Sequence, residues 1–562
     1  MMWRGLLLVG LAVGVASSVH AQAVGSCVTG TAQRVLENSV LQVSVFNTGG
    51  LFFGGSTTSG DGYLIPKQNG VSPLFAAGLW LGGRVDGELR VAGARYGGYD
   101  FWPGPLEDAE RLPADCSAHD RIYVVSREDI RQYYITGTAT DDLRDWPHQL
   151  GAPVIDGDGD STNYDLRAGD QPELIGDMAA WWVMNDAGND HNPGLPLGVE
   201  VRVHAFVYGT ATPGVINPVL SQTSFYRYEI VNRAGRPIEQ MYATLFSDPD
   251  LGDAGDDYIG TDTLRHMVFV YNDSNEDSAY GTAPPALGIQ ILRGPIGLAN
   301  GRDDNFDGVV DEPDEEMRAT SSGTFIGGGP DGTSDPGLPS QYYNYMQGFW
   351  GNGTPYYEYR TGFQQAASGA RTTRFVYAGD PVTESFWSEV NSDGNGTHNP
   401  QGDRRMLVST GPFRLEPDSS IVLLVAMPYG QGTDHLNSIS EMRGYASTLQ
   451  RVAAAGAFVS SYPVPGAPQP SKPSPKSPLL PTWVRPNPTS GTAEAMLTLR
   501  SEAYVRVTIF DTLGRQVQRL VDGVLPEGET ALVIPEGLVP GTYALRVEVP
   551  GAVKMLTFTV VR

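Results

Sequence analysis

Lysine is almost missing from this chain. Only Lys67, Lys472, Lys476 and Lys554 occur in 562 residues, and the rest of the 38 basic residues are arginine. Against 64 acidic residues these leave a net charge of −26. That balance argues against nucleic acid and anionic lipid as partners and favours cations. Histidine is sparse as well. Beyond His20 there are His119, His148, His191, His204, His266, His398 and His435, and none pairs at i, i+4. No CxxC occurs. The helix of a zinc protease and the thiolate clusters of structural zinc sites are therefore excluded. No GxSxG elbow appears, so no serine-hydrolase nucleophile is indicated, and no GxGxxG marks a nucleotide site by opening a helix pattern. No catalytic residue is identified.

Long apolar runs are missing too. The longest lies in MMWRGLLLVGLAVGVASSVHAQ, where Arg4 precedes Leu6–Val15 and Val19-His20-Ala21 closes on small residues. The run is too short for a membrane span, and its layout is that of a secretory signal peptide over 1–21. The mature chain, from residue 22, is expected to have no transmembrane segment and to pass through the periplasm to the outer surface or the medium. Two cysteines remain, Cys27 and Cys116. In an oxidising compartment they either form one disulfide or stay as two thiols. Sequence alone does not place their Cα atoms within bonding distance.

What is abundant is glycine (69) and proline (41), while periodic helices are few. This favours many short strands joined by turns, a mainly β fold. VEVRVHAFVY (199–208) alternates, with Val199, Val201, Val203, Ala205 and Val207 on one face and Glu200, Arg202 and His204 on the other, as in a half-buried strand. FYRYEIVNRAGRPIEQMYATLF predicts two strands around a turn at Asn232–Pro237, and RHMVFVYN and SIVLLVAMPYG predict two more, the second central. One helix is expected over 436–455, capped by Asn437 or Ser438. A shorter one is expected to start at Ser126. Residues 22–459 read as a sandwich-rich β body, with 210–220 as the place where two subdomains would divide. Residues 460–482, SSYPVPGAPQPSKPSPKSPLLPT, form a proline-rich linker. From 483 onward, alternation returns at Val505, Val507 and Ile509 and at Leu545, Val547 and Val549. This predicts a small immunoglobulin-like sandwich of about seven strands.

The most regular acidic stretch is GRDDNFDGVVDEPDEE (301–316). Asp303, Asn305, Asp307, Val309, Asp311 and Asp314 fall at positions 1, 3, 5, 7, 9 and 12, with Gly308 at 6. Alternating oxygens on a sharply turning chain converge on a calcium ion, the seventh position giving a carbonyl. The stretch resembles the loop of an EF-hand without its helices, as in dockerin-like or thrombospondin-type repeats. Aspartate replaces the usual glutamate at position 12. A structural calcium ion is the expected cofactor. Asp156, Asp158 and Asp160, with Asp165 or Asp170, make a less regular candidate. Asp248, Asp250, Asp253, Asp256 and Asp257 cluster without a frame. The aromatic clusters Tyr99–Trp102, Trp181–Trp182 and Tyr342–Trp350 read either as packing anchors or as platforms for sugar rings.

The tail also carries a resemblance. Pro486-Asn487-Pro488, the turn Phe510-Asp511-Thr512-Leu513-Gly514-Arg515, the strand start Gly541-Thr542-Tyr543 and the basic terminal Arg562 resemble the C-terminal sorting domain of cargo of the type IX secretion system of Bacteroidota and their relatives. The resemblance spans 483–562. It implies the type IX machinery as a partner and export across the outer membrane, and it says nothing of the cargo's activity. More loosely, FAAGLWLGGRVDGELRVAGARYGGYDFWPGPL, FSDPDLGDAGDDYIGTD and GDRRMLVSTGPFRLEP resemble large secreted proteins with the same tail. That likeness implies no catalytic residue. The expected function is that of a secreted or cell-surface, calcium-stabilised β-protein with a structural or ligand-binding role, for which glycans or cell-surface components are candidate partners. The alternative is an extracellular hydrolase of polysaccharide or protein. A glycosidase needs only two suitably spaced carboxylates, and 64 acidic residues leave that open.

Overall fold

The computed structural model describes residues 25–53, 62–96, 98–106, 115–192, 194–209, 218–296, 316–329, 332–363, 371–456, 458, 483–487, 489, 493–499, 502–511, 516–535, 537–549 and 552–561. These fall into two compact units, the first drawn from Met1–Ile155, Asn163–Leu166 and Asp170–Ala467, the second from Asp156–Thr162, Arg167–Gly169 and Pro468–Arg562. No helix among the described residues is long and apolar enough to cross a membrane.

The first unit is built on two antiparallel sheets. One contains β1 (Gln33–Glu37), β2 (Gln42–Phe46), β3 (Gly50–Leu51), β4 (Ala76–Val85) and β5 (Glu88–Arg95). The other begins with β6 (Met178–Asn185), β7 (Val199–Val207) and β8 (Thr223–Asn232). The chain returns to the first sheet as β9 (Ile238–Asp248) and to the second as β10 (Asp257–Asp262), β11 (Met267–Asn272) and β12 (Ala286–Arg293). It then adds β13 (Ser321–Phe325) and β14 (Arg405–Leu415) to the first and β15 (Ser420–Gly430) to the second. Strand order is β1-β2-β3-β4-β9-β14-β13, with β5 beside β4, and β10-β11-β12-β15-β8-β7-β6. Short strands at Trp102–Pro103 and Tyr123–Ser126 pair with β6.

The predicted strands appear, with one correction. The turn after Asn232 lies where expected and carries the chain from β8 in one sheet to β9 in the other, and the Asn232 side-chain amide donates to the carbonyls of Arg236 and Leu415. The correction is that β7 is not half-exposed. Val199, Val201, Val203, Ala205 and Val207 enter the inter-sheet core as expected, but Glu200 and His204 on the other face are buried as well. Strand parity names the faces and does not reveal whether both are covered. β7 and β8 flank residues 210–217 and pair with each other, so the sheet runs continuously across the place where a subdomain split was offered.

The outer face of the second sheet is covered by two packed layers. Helix α1 (Arg127–Thr136) begins at Ser126, whose hydroxyl accepts the Asp129 N–H while the Asp129 carboxylate accepts the Ser126 N–H, a capping box. Ile130 of this helix, with Leu143, Trp146 and Ile175, packs on Val125, Trp181, Phe206 and Phe225. At the other end, α2 (His435–Ala454) presents Ile439, Met442 and Ala446 to Tyr258, Met267, Phe269 and Tyr271. Its cap is Asp434, which accepts the Asn437 N–H at 2.8 Å, rather than Asn437 or Ser438. Those two side chains accept from the loop N–H groups of Thr433 and Gly432 instead. Gly430 lets the helix lie this close, since a Cβ there would fall 2.3 Å from the Met442 nitrogen.

The second unit holds a small sandwich: β16 (Trp483–Arg485), β17 (Ala493–Leu499) and β20 (Gly528–Ile534) in one sheet, and β18 (Ala503–Asp511), β19 (Gln516–Leu525), β21 (Gly541–Val549) and β22 (Ala552–Val560) in the other. Val505, Val507, Ile509, Leu545 and Val547 fill its core, with Leu497 and Ile534 from the facing sheet. The alternation that predicted these strands holds, because their outer faces are more exposed than their inner ones.

Candidate functional site

The calcium-loop residues Asp303, Asn305, Asp307, Val309, Asp311 and Asp314 lie outside the described residues, as do the linker, Pro488, Gly514 and Arg515. The chain at either end of residues 297–315 is held by an antiparallel bridge between Ile296 and Glu316. Asp156, Asp158 and Asp160 form a run of turns. Asp156 Oδ1 accepts the Asp158 and Gly159 N–H groups, Asp158 Oδ1 accepts that of Asp160, and Asp160 Oδ1 that of Thr162. The N–H of Asp165 donates to Asp170 Oδ2.

The tail residues of the sorting resemblance have local structural roles. Asn487 Oδ1 accepts the Thr559 N–H at 2.9 Å, which ties the segment after β16 to β22. Asp511 pairs across the sheet with Tyr543. Gly541 opens β21, and the Tyr543 hydroxyl donates to the Val539 carbonyl at 2.6 Å while its ring stacks on Phe558. Pro486 follows β16. In the body, Cys27 and Cys116 form a disulfide with a Cα–Cα distance of 5.7 Å.

The aromatic clusters divide by position. Tyr342, Tyr343 and Tyr345 are buried under the first sheet, and Trp102 packs on the disulfide. Trp181 and Trp182, adjacent on β6, point to opposite faces. Trp182 enters the inter-sheet core, while Trp181 reaches a cavity of about 530 Å³ on the outer face of the second sheet.

That cavity rests on two cross-strand rows. Trp181, His204, Arg227 and Leu424 stand directly opposite one another on β6, β7, β8 and β15. The next row runs Val183, Arg202, Glu229 and Val422. Glu229 sits between two guanidinium groups, Arg202 at 3.7 Å and Arg227 at 3.6 Å. At the rim Arg293 Nε lies 2.7 Å from Glu316 Oε1. Apolar walls come from Pro153, Ile421 and Val422. His204 is 2% exposed and its Nε2 meets no hydrogen-bond partner. Burial, helped by the neighbouring Arg227, pushes its pKa down to about 3, so the imidazole is neutral at physiological pH. The site is thus a preformed concavity with ion pairs at Glu229 and Glu316, a further carboxylate at Glu173, one neutral imidazole and apolar sides, the usual character of a small-ligand site.

Arg227 and Glu229 were not singled out from the sequence. The available signal was a pair of alternating charged positions, Glu200 and Arg202 on one strand and Arg227 and Glu229 on the next, inside otherwise largely apolar segments.

No family model matches the chain, and no curated protein does. Among solved structures, a polysaccharide lyase aligns over 95% of this chain and 47% of its own at 8% identity, with a TM-score of 0.23. The chain thus spans about half the length of that protein. A beta-glucuronidase of Faecalibacterium prausnitzii aligns over 30% of this chain and 31% of its own, at 20% identity and a TM-score of 0.12. The adhesin domain of Epf from Streptococcus pyogenes aligns over 63% and 87%, at 8% identity and a TM-score of 0.12. Likeness at this level carries no argument about fold or activity.

Proposed function

We propose that the chain is an exported, calcium-stabilised β-protein that binds a small, neutral, hydroxyl-rich ligand such as a short glycan in the cavity over Trp181, His204, Arg227 and Glu229. The observation that carries this reading is the pairing of four of the cavity's charged residues. Arg227 with Glu229 and Arg293 with Glu316 leave hydrogen-bonding groups oriented but no unpaired charge on these four residues to hold an ionic ligand. The apolar walls suit the carbon face of a sugar ring. The same pairing favours binding over hydrolysis. A glycosidase needs one carboxyl free to give up a proton, and both Glu229 and Glu316 are engaged by guanidinium groups. The test is a screen of the purified chain for glycan binding and hydrolysis, with and without chelator, beside Arg227→Ala. Binding by the wild type is expected to weaken at least tenfold in the variant. Turnover, or binding that Arg227→Ala leaves intact, overturns the reading.

Delivery by type IX secretion is the second half of the proposal, supported by the tail's ordered motifs and its separate compact sandwich. A chain truncated after Ser460 is expected to stay in the periplasm, while the full chain reaches the surface or medium. Equal export of both removes the assignment.

A further inference from the structure

The connection from β6 to β7, NDAGNDHNPGLPLG (185–198), holds a histidine whose two ring nitrogens both face acceptors. The His191 side chain is fully buried. Its Nδ1 lies 2.8 Å from the carbonyl oxygen of Val91, on β5 of the first sheet. Its Nε2 lies 2.5 Å from the carbonyl oxygen of Asp186, at the end of β6 in the second. A carbonyl oxygen only accepts, and a neutral imidazole has one N–H and one bare nitrogen. In either neutral tautomer one of these two contacts sets a lone pair against a lone pair. The ring protonated on both nitrogens satisfies both carbonyls.

The charges around the ring point the same way. Asp100 Oδ2 lies 4.0 Å from Nδ1 and accepts the Gly93 N–H at 3.0 Å. The Asp186 carboxylate is completely buried and accepts the N–H groups of Leu197, Gly198 and Val199. Burial raises both carboxyls from their ordinary range, and His191 draws both back down. On the same strand as Val91, Arg90 donates to the Pro196 carbonyl and pairs with Glu88. Asp190, beside His191 in the chain, is exposed. Tyr342, from the helix Pro339–Met346, faces Asp100, and burial pushes its hydroxyl up. The Trp102 ring, 5.7 Å from the imidazole, brings no charge. A buried charge is tolerated when it is both paired and hydrogen-bonded. A doubly protonated His191 meets both conditions, with two carbonyls and two carboxylates around it.

We propose that His191 stands as an imidazolium in the folded protein and acts as a pH-sensitive latch between the two sheets. Charged, it donates to Val91 in the first sheet and to Asp186 at the end of β6 in the second. When it gives up a proton, one of the two carbonyls loses its donor, and Asp100 and Asp186 lose their cation at the same step. A group whose charged form gains partners on folding adds stability on the acid side of its titration, and that stability is lost as pH rises. Mild alkali therefore loosens this junction. It also loosens the stretch around Gly25 and Cys27, whose N–H groups donate to the Ala187 and Gly188 carbonyls of the same connection. The latch is independent of the cavity over Trp181.

The experiment follows the melting temperature of the full mature chain from about pH 6 to about pH 9, a range that spans the ordinary histidine value of about 6.5. It compares the wild type with His191→Gln and Asp100→Asn. The glutamine amide still donates to a carbonyl but carries no charge. The gap between wild type and His191→Gln is expected to be widest at the acid end and to shrink by at least half at the alkaline end. Asp100→Asn keeps an acceptor for the Gly93 N–H and removes one counter-charge, so its cost is expected to shrink along the same course. It carries the test alone if His191→Gln fails to fold. A gap that stays constant across the range, or widens toward alkali, in either folded variant overturns the latch and leaves His191 a neutral packing residue.

Discussion

Replacing Cys27 and Cys116 by serine will lower the stability of the body by about 4–5 kcal/mol. The bond joins residues 89 apart, and the chain-entropy model gives roughly that much for a loop of this length. What it fastens is the stretch around Gly25 and Cys27, at the start of the described residues. Gly25 and Cys27 donate their N–H groups to Ala187 and Gly188, and the Asn189 amide donates to the Cys27 carbonyl. These few hydrogen bonds hold the segment weakly on their own. Cys116 sits in a short turn capped by the Asp115 carboxylate, and Trp102 packs on both sulfurs' residues. Urea unfolding of the body should show the lower midpoint in the double-serine variant, and the wild type in reductant should match it. An unchanged midpoint would mean that the unfolded chain is already constrained elsewhere. The bond also suits an oxidising compartment, which agrees with the proposed route of export.

Much of this architecture was legible because strand alternation is local. Val199 to Val207 declared the inner face of β7, and the tail strands declared theirs, since a half-buried strand writes its burial at every second residue. The coverage of the other face was not written anywhere local. His204 looks like a surface histidine until Pro153 and Ile175 are brought beside it around the cavity. The same limit split Trp181 from Trp182. Adjacent tryptophans suggested one aromatic platform, while strand parity sends them to different layers. The acidic cluster shows the reverse case. Asp248, Asp250 and Asp257 stood out in a group with no regular frame, and what meets Asp248 and Asp250 came from afar: Asp403 and Arg405, from β14 and the residues before it. Pairings over 150 residues leave no trace in a single sequence, so Arg405's pairing with Asp248 was not accessible before the fold.

Trp80→Ala will destabilise the body by about 3–5 kcal/mol, the range for deleting a fully buried indole. The residue comes from AAGLWLGGRV, the run that forms β4. Its ring is completely buried and stacks on Phe246 at 5.0 Å with the planes 9° apart, while Tyr342 meets it edge-on at 4.6 Å. Phe325 lies on the same stack at 6.4 Å. Phe246 belongs to β9 and Phe325 to β13, so this one side chain couples three strands of the first sheet to the helix Pro339–Met346 that carries Tyr342. Its Nε1 also donates to the Ala94 carbonyl at 3.0 Å. Alanine removes the stack and the donor together and leaves a void that close-packed neighbours refill only in part. Trp80→Phe separates the two contributions. It keeps most of the aromatic contact and loses the hydrogen bond, so its cost should fall near 1–2 kcal/mol, the size of a buried acceptor left unpaired plus a smaller cavity. Urea midpoints of the two variants against wild type provide the measurement. Equal loss in both would place the energy in the Ala94 bond, and no loss in either would mean that the aromatic stack is not what joins the helix to the sheet.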